Sequence, residues 1–343
     1  MSIIAITRTL LGYFFIVLSK SESDDFLNKI PKGLSIGSAG AAYQIEGAWN
    51  VSGLNMKGTA DFICVHNALK AHARAYHIYD KEFRPQQRGT IGIVIPCRHH
   101  FAKHSNDSFA AEVAFQFDCG WTSHPIFSKH GDYPKVMKDR IAENSKLEGW
   151  PRSRLPSFSQ AWIDYIRGTS DYFGLNHYTS DLVESVPKAN GAVWYKESGI
   201  MASRDPKWPG SNSSWLMVAP EGFGALLRKI KEEYENVPVY VMENGVSDSS
   251  LIEDYPRVKY LYSYMREMLL AINRDGCNVK AYTVWSLLDN FQWARGYSER
   301  FGIVSVDFSD PERKRTPKKS ALWLKDVLRA GHLLPLDNYT FFS

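Results

Sequence analysis

The segment Val237-Pro238-Val239-Tyr240-Val241-Met242-Glu243-Asn244-Gly245-Val246 is an apolar, β-branched run that stops at a carboxylate followed by a turn. It reads as a buried strand with Glu243 at its carboxyl end. A carboxylate there can attack an electrophilic carbon, act as a general base or ligate a metal; taken alone it can equally cap a helix or form an ion pair. A second segment, Tyr282-Thr283-Val284-Trp285-Ser286-Leu287-Leu288-Asp289-Asn290-Phe291-Gln292-Trp293, puts two indoles beside amides and a carboxylate at another strand end. Sugars offer apolar C–H faces to aromatic rings and hydroxyls to fixed hydrogen-bond partners, so this mixture suits a carbohydrate. Gly174-Leu175-Asn176-His177-Tyr178 and Ala41-Ala42-Tyr43-Gln44-Ile45-Glu46-Gly47 bring the same residue types to two further strand ends.

The elements that must position these groups alternate along the chain. Strands are predicted over residues 34–43, 90–95, 171–175, 237–242 and 279–287, with helical stripes between them. Phe62, Val65, Leu69, Ala73, Tyr76 and Tyr79 recur at spacings of three or four, as do Val258, Leu261, Met265, Leu269 and Ile272. Alternating strands and helices point to an α/β chain of parallel βα units, in which the carboxyl ends of the strands face one site. Residues 301–308 alternate with period two and predict an extra strand before a last helix over 318–328. No internal repeat divides the chain, and residues 24–343 are expected to form one domain.

Composition narrows the function. With 343 residues, 44% hydrophobic, 13% aromatic and 23% charged, the chain can bury a large core, which excludes disorder, collagen and coiled coil. A net charge of +4 without a long block of one sign gives no support to nucleic-acid binding. Arg313-Lys314-Arg315, with Lys318 and Lys319, reads as a solvated face. Arg8 precedes the apolar residues 10–18 and then Ser19, Ser21 and Ser23, the profile of a signal peptide over residues 1–23, so the mature protein is expected to be soluble and secreted or lumenal. That apolar run is shorter than the roughly 20 residues needed to cross a bilayer, and no later run reaches that length. Cys64, Cys97, Cys119 and Cys277 do not make a disulfide framework, although this compartment permits one or two bridges. Asn50, Asn106, Asn212 and Asn338 lie in glycosylation sequons.

The four strand-end segments resemble glycoside hydrolase family 1, the β-glucosidase family, and closely its animal digestive members. The resemblance runs over residues 31–49 and from about 54 to the last helix. It implies a retaining (β/α)8 TIM-barrel glycosidase with no metal or cofactor, acting on a small-molecule β-glycoside or oligosaccharide. By position, Glu243 matches the family's nucleophile and Tyr178 the tyrosine that orients it. Asn176 matches a neighbour in the sugar site and Gln44 a ligand of the glycone hydroxyls, while Trp285 and Trp293 match the aromatic floor. Gln292 stands where the family usually has a glutamate that grips sugar hydroxyls; an amide still bonds there, without charge assistance.

One departure is large. The family's acid/base glutamate lies in Thr-Phe-Asn-Glu-Pro at the end of the fourth strand, after a His-Trp-Asp segment ending the third, and neither occurs in this sequence. The chain runs from Gln44 through Asn50 to Gly53 and at once into Leu54-Asn55-Met56-Lys57-Gly58 and the helix that normally follows strand four. At roughly 30 residues per unit, losing strands two to four removes roughly 90 residues. The expectation is an incomplete barrel of five of the eight βα units, with two unpaired sheet edges and impaired general-acid help. A skipped block of exons or an erroneous gene model explains such a joint, as does a degenerate lineage-specific protein; a non-catalytic carbohydrate-binding protein is the alternative function. A metal reading of Cys97, His99, His100 and His104, with His100 and His104 on one helix face, is set aside on the expectation that no carboxylate or second cysteine lies nearby and that such histidines are solvated.

Overall fold

The computed structural model describes residues 29–39, 59–187, 193–249 and 252–336. Its strands are β1 (Ser35–Ala39), β2 (Ile93–Pro96), β3 (His99–Ala102), β4 (Phe173–Asn176), β5 (Ser180–Ser185), β6 (Ile200–Ser203), β7 (Val239–Asn244), β8 (Val279–Trp285), β9 (Val304–Val306) and β10 (Arg315–Pro317). Five of them build one sheet in the order β1-β8-β7-β4-β2, with every neighbouring pair parallel. Parallel strands need crossovers, and helices supply them: Ala60–Ile78 precedes β2, Pro220–Glu233 precedes β7, and Tyr255–Asn273 joins β7 to β8.

The sheet's helix-facing side chains explain why these runs are apolar. Phe173, Leu175, Val239, Val241, Tyr282 and Val284 pack into one buried cluster with Phe223, Leu226, Leu227 and Ile230, and with Leu261, Met265 and Leu269 of the second predicted stripe. Phe62, Leu69 and Ala73 of the first stripe join a second cluster with Val113, Phe117, Met137 and Ile141. The five barrel strands expected from sequence are therefore present, the last four with ends shifted by a few residues, while residues 40–43 of the first lie outside the described residues. The expected 301–308 strand shortens to β9, paired antiparallel with β10, and the last helix occupies Lys319–Ala330.

Among the described residues, β1 and β2 each pair on one side only. A parallel sheet of five strands cannot close at the tilt and shear of an eight-stranded barrel, and among the described residues both edges lack a second strand to pair with. The purified chain is expected to self-associate. Size-exclusion chromatography with light scattering checks this, and a monodisperse monomer over a wide concentration range would contradict it.

A second sheet, β3-β5-β6, was not anticipated. β3 pairs parallel with β5, and β5 antiparallel with β6. It overturns the helical placement of the histidines: His99 and His100 lie on a strand and His104 follows it, so no i,i+4 face exists. Cys97 is bonded to Cys119, and the His100 ring lies 3.2 Å from an Asp118 carboxylate oxygen.

Candidate active site

Glu243 is the penultimate residue of β7. The neighbouring strand β4 ends at Asn176, whose register partner is Glu243, and a register shift between Leu175 and Asn176 brings them level. Two residues later, the Tyr178 hydroxyl donates to Glu243 Oε2 at 2.5 Å. The backbone repeats the junction, since the His177 N–H donates to the Glu243 carbonyl at 3.0 Å. Sequence reasoning paired Tyr178 with Glu243 across 65 positions, and the structure brings them into contact.

Gly245 permits this arrangement. A Cβ there would lie 1.9 Å from the Trp285 carbonyl oxygen, so only a residue without one lets the end of β7 pass the end of β8. Gly245→Ala is expected to force the two strand ends apart and destabilise the fold by about 1–3 kcal/mol, read as a lower urea midpoint with an unchanged slope.

Burial raises the pKa of Glu243, while the Tyr178 hydroxyl and the Asn176 amide act in the opposite direction. Both opposing groups are neutral, and desolvation prevails. A carboxylate raised in this way holds its proton more tightly in the fold. Its contribution to stability is present below its unfolded pKa and is lost as pH rises through the folded one. Any reaction that uses the anion must run the other way, gaining rate with pH along a limb whose midpoint lies above the ordinary 4.5. The pH profile of covalent labelling at Glu243 measures that limb, and a midpoint at or below 4.5 contradicts the assignment.

Trp285, the last residue of β8, is 2% exposed, whereas Trp293, in the segment beyond it, is 55% exposed. The two indoles differ sharply in burial, with Trp293 open to solvent. Gln292 is buried and its amide donates to Asn290 Oδ1 at 3.1 Å, while Asn290 in turn donates to Ser286 Oγ at 3.0 Å. Gln44 lies outside the described residues.

Asp289 has a structural part that its sequence context did not reveal. Its Oδ1 accepts from Lys318 Nζ at 2.9 Å and from the Gly302 N–H at 3.0 Å, and its Oδ2 from Arg300 at 3.1 Å. Lys318 is fully buried. A buried carboxylate among three donors anchors the segment that carries Gln292 and Trp293. Lys318, read from sequence as solvated, was misplaced because the basic run conceals which of its members faces the core. Breaking a buried pair from one side is costly, so Asp289→Ala is expected to lose about 3–5 kcal/mol in chemical denaturation.

The solved structures of similar shape are barrel glycosidases. The aphid myrosinase structure superposes with a TM-score of 0.77 at 38% identity, covering 84% of this chain and 63% of that one. The β-glucosidase from Trichoderma harzianum gives a TM-score of 0.72 at 33% identity, covering 81% and 59%. The fold is thus that of a (β/α)8 TIM barrel, represented among the described residues by five of its strands. Residues 51–332 match the glycosyl hydrolase family 1 profile, and the chain belongs to that family. Among characterised relatives, human lactase/phlorizin hydrolase is 42% identical over 283 residues, covering 81% of this chain and 15% of the relative. Human lactase-like protein is 40% identical over 295 residues, covering 83% and 51%. Myrosinase 1 of Brevicoryne brassicae is 40% identical over 284 residues, covering 81% and 60%. The chain spans less than two thirds of each of these proteins.

Proposed function

We propose that Glu243 is a glycosyl-accepting nucleophile and that the chain retains the covalent half of a retaining β-glycosidase while lacking its acid partner. Glu243 Oε attacks the anomeric carbon of a terminal β-linked glucose or related sugar. A C–O ester bond forms, the glycosidic C–O bond breaks, and the leaving oxygen departs with the electron pair. Water takes the place of the protein acid in protonating it. A second attack at the anomeric carbon, by water, releases the sugar and returns the carboxylate. The observation that carries this reading is the 2.5 Å contact between Tyr178 and Glu243 at adjoining strand ends. Asn176, Gln44, Trp285, Gln292 and Trp293 are assigned to the sugar. The reaction needs no metal or organic cofactor.

The absence of Thr-Phe-Asn-Glu-Pro, with Gln292 in place of a glutamate, favours one second reading: a sugar-binding protein without turnover. Release of the chromophore from an activated aryl β-glucoside, with and without azide, supports the first reading. Sugar binding by calorimetry without release, from folded protein, selects the second. Residues 1–23 are proposed as a secretory leader preceding one partial barrel domain, 24–343, and amino-terminal sequencing of protein from the culture medium tests that boundary. The joint is proposed to reflect a skipped internal block, and sequencing the transcript interval encoding residues 50–58 decides it.

A further inference from the structure

Three residues, His177 to Thr179, lie outside both sheets, because β4 ends at Asn176 and β5 begins at Ser180. Buried carbonyls are nearly always hydrogen-bonded, so this corner must find acceptor partners without a ladder. Side chains provide them. Asn244 Nδ2 donates to the His177 carbonyl at 2.7 Å, and the Tyr178 carbonyl accepts two hydroxyls, from Tyr260 at 2.9 Å and Tyr264 at 3.0 Å. Behind them, Asn244 also donates to the Tyr260 hydroxyl at 3.1 Å, Tyr282 donates to Asn244 Oδ1 at 2.6 Å, and the Ala219 N–H donates to the Tyr264 hydroxyl at 3.1 Å.

Every member is buried: Asn244, Tyr264 and Tyr282 at 0% exposure and Tyr260 at 1%. The Tyr260 and Tyr264 rings stack with centroids 4.0 Å apart. Phenylalanine would fill the same space without a hydroxyl to desolvate, and a buried hydroxyl persists only with a partner. Both hydroxyls converge on the one carbonyl that belongs to the residue holding Glu243.

We infer that Tyr260 and Tyr264, backed by Asn244 and Tyr282, are positioning residues that pin the Tyr178 peptide and thereby aim its hydroxyl at Glu243. The inference rests on the proposed role of Glu243, yet its geometry is measurable without turnover. All four are buried and act through the Tyr178 peptide.

The test is carbodiimide coupling of Glu243 to an amine across a pH series, quantified by peptide mass mapping, since the protonated carboxyl is the reactive form. Tyr178→Phe removes a hydrogen bond to the charged form and is expected to raise the Glu243 midpoint by about one pH unit. Tyr260→Phe/Tyr264→Phe is expected to raise it by about half as much, because the donor stays but is no longer aimed, and each single variant by less again. Tyr255→Phe, a half-buried residue at the start of the same helix whose hydroxyl meets Glu253 and not Tyr178, is expected to leave it unchanged. If the double variant does not fold, as judged by near-ultraviolet circular dichroism, the single variants carry the measurement. A folded double variant, or singles, titrating with the parent while Tyr178→Phe shifts would overturn the inference and leave the nucleophile assignment standing. A Tyr178→Phe protein that titrates with the parent would overturn both the hydroxyl's influence and its positioning. Failure of catalysis is read separately, from chromophore release by the parent.

Discussion

Glu243→Gln is expected to abolish chromophore release from an activated aryl β-glucoside, lowering the rate by about 10⁴- to 10⁶-fold, the scale on which removal of a covalent nucleophile is felt. The substitution keeps the shape of the side chain, and its amide oxygen can still accept from the Tyr178 hydroxyl that now meets Oε2 at 2.5 Å. It removes the charge that burial disfavours. Stability near neutral pH is therefore expected to hold or rise, which separates loss of chemistry from loss of fold. Parallel urea titrations and initial rates check both halves. A variant that keeps more than a hundredth of the parent rate contradicts the assignment.

The second large effect concerns the leaving group. Protonation of a departing oxygen by a placed acid contributes about 10²- to 10⁴-fold. Without the Thr-Phe-Asn-Glu-Pro carboxylate, that contribution is expected to vanish for alkyl and sugar leaving groups and to matter little for a dinitrophenolate, which leaves unaided. Rates across a series of aryl and alkyl β-glucosides should fall steeply with leaving-group pKa. Azide, an anion that needs no general base, should accelerate turnover of the activated member and yield a glycosyl azide. A shallow series with no azide effect would mean that another acid serves the site. Glu46, expected at the barrel mouth from its motif, is then the residue to test.

The strongest sequence signals survived because they arise from burial. β-Branched runs and three-and-four stripes report which faces meet the core, and the strands at 93–96, 173–176, 239–244 and 279–285 fall where those runs lie. The Tyr178 contact was legible only through the family resemblance, because nothing in local spacing joins residues 65 positions apart. The β3-β5-β6 sheet was not legible. Its strands are short excursions from the main sheet, and the histidine spacing at 99–104 mimics a helix while β3 is held by pairing with β5. Nor did sequence separate the solvated cations of 313–319 from Lys318, or show that Asp289 is held by three donors. Tyr260 and Tyr264 fall outside the predicted stripe of Val258, Leu261, Met265, Leu269 and Ile272, and periodicity is blind to where hydroxyls point.

The nucleophile assignment is tested most directly by incubating the folded protein with 2,4-dinitrophenyl 2-deoxy-2-fluoro-β-glucoside and digesting it for mass spectrometry. Fluorine slows both steps, and the dinitrophenolate leaves without an acid, so an ester should accumulate. One fluoroglucosyl group on the peptide containing Glu243, absent from Glu243→Gln, is the predicted result. An unlabelled protein that is folded by circular dichroism, or a label on any other residue, would contradict it.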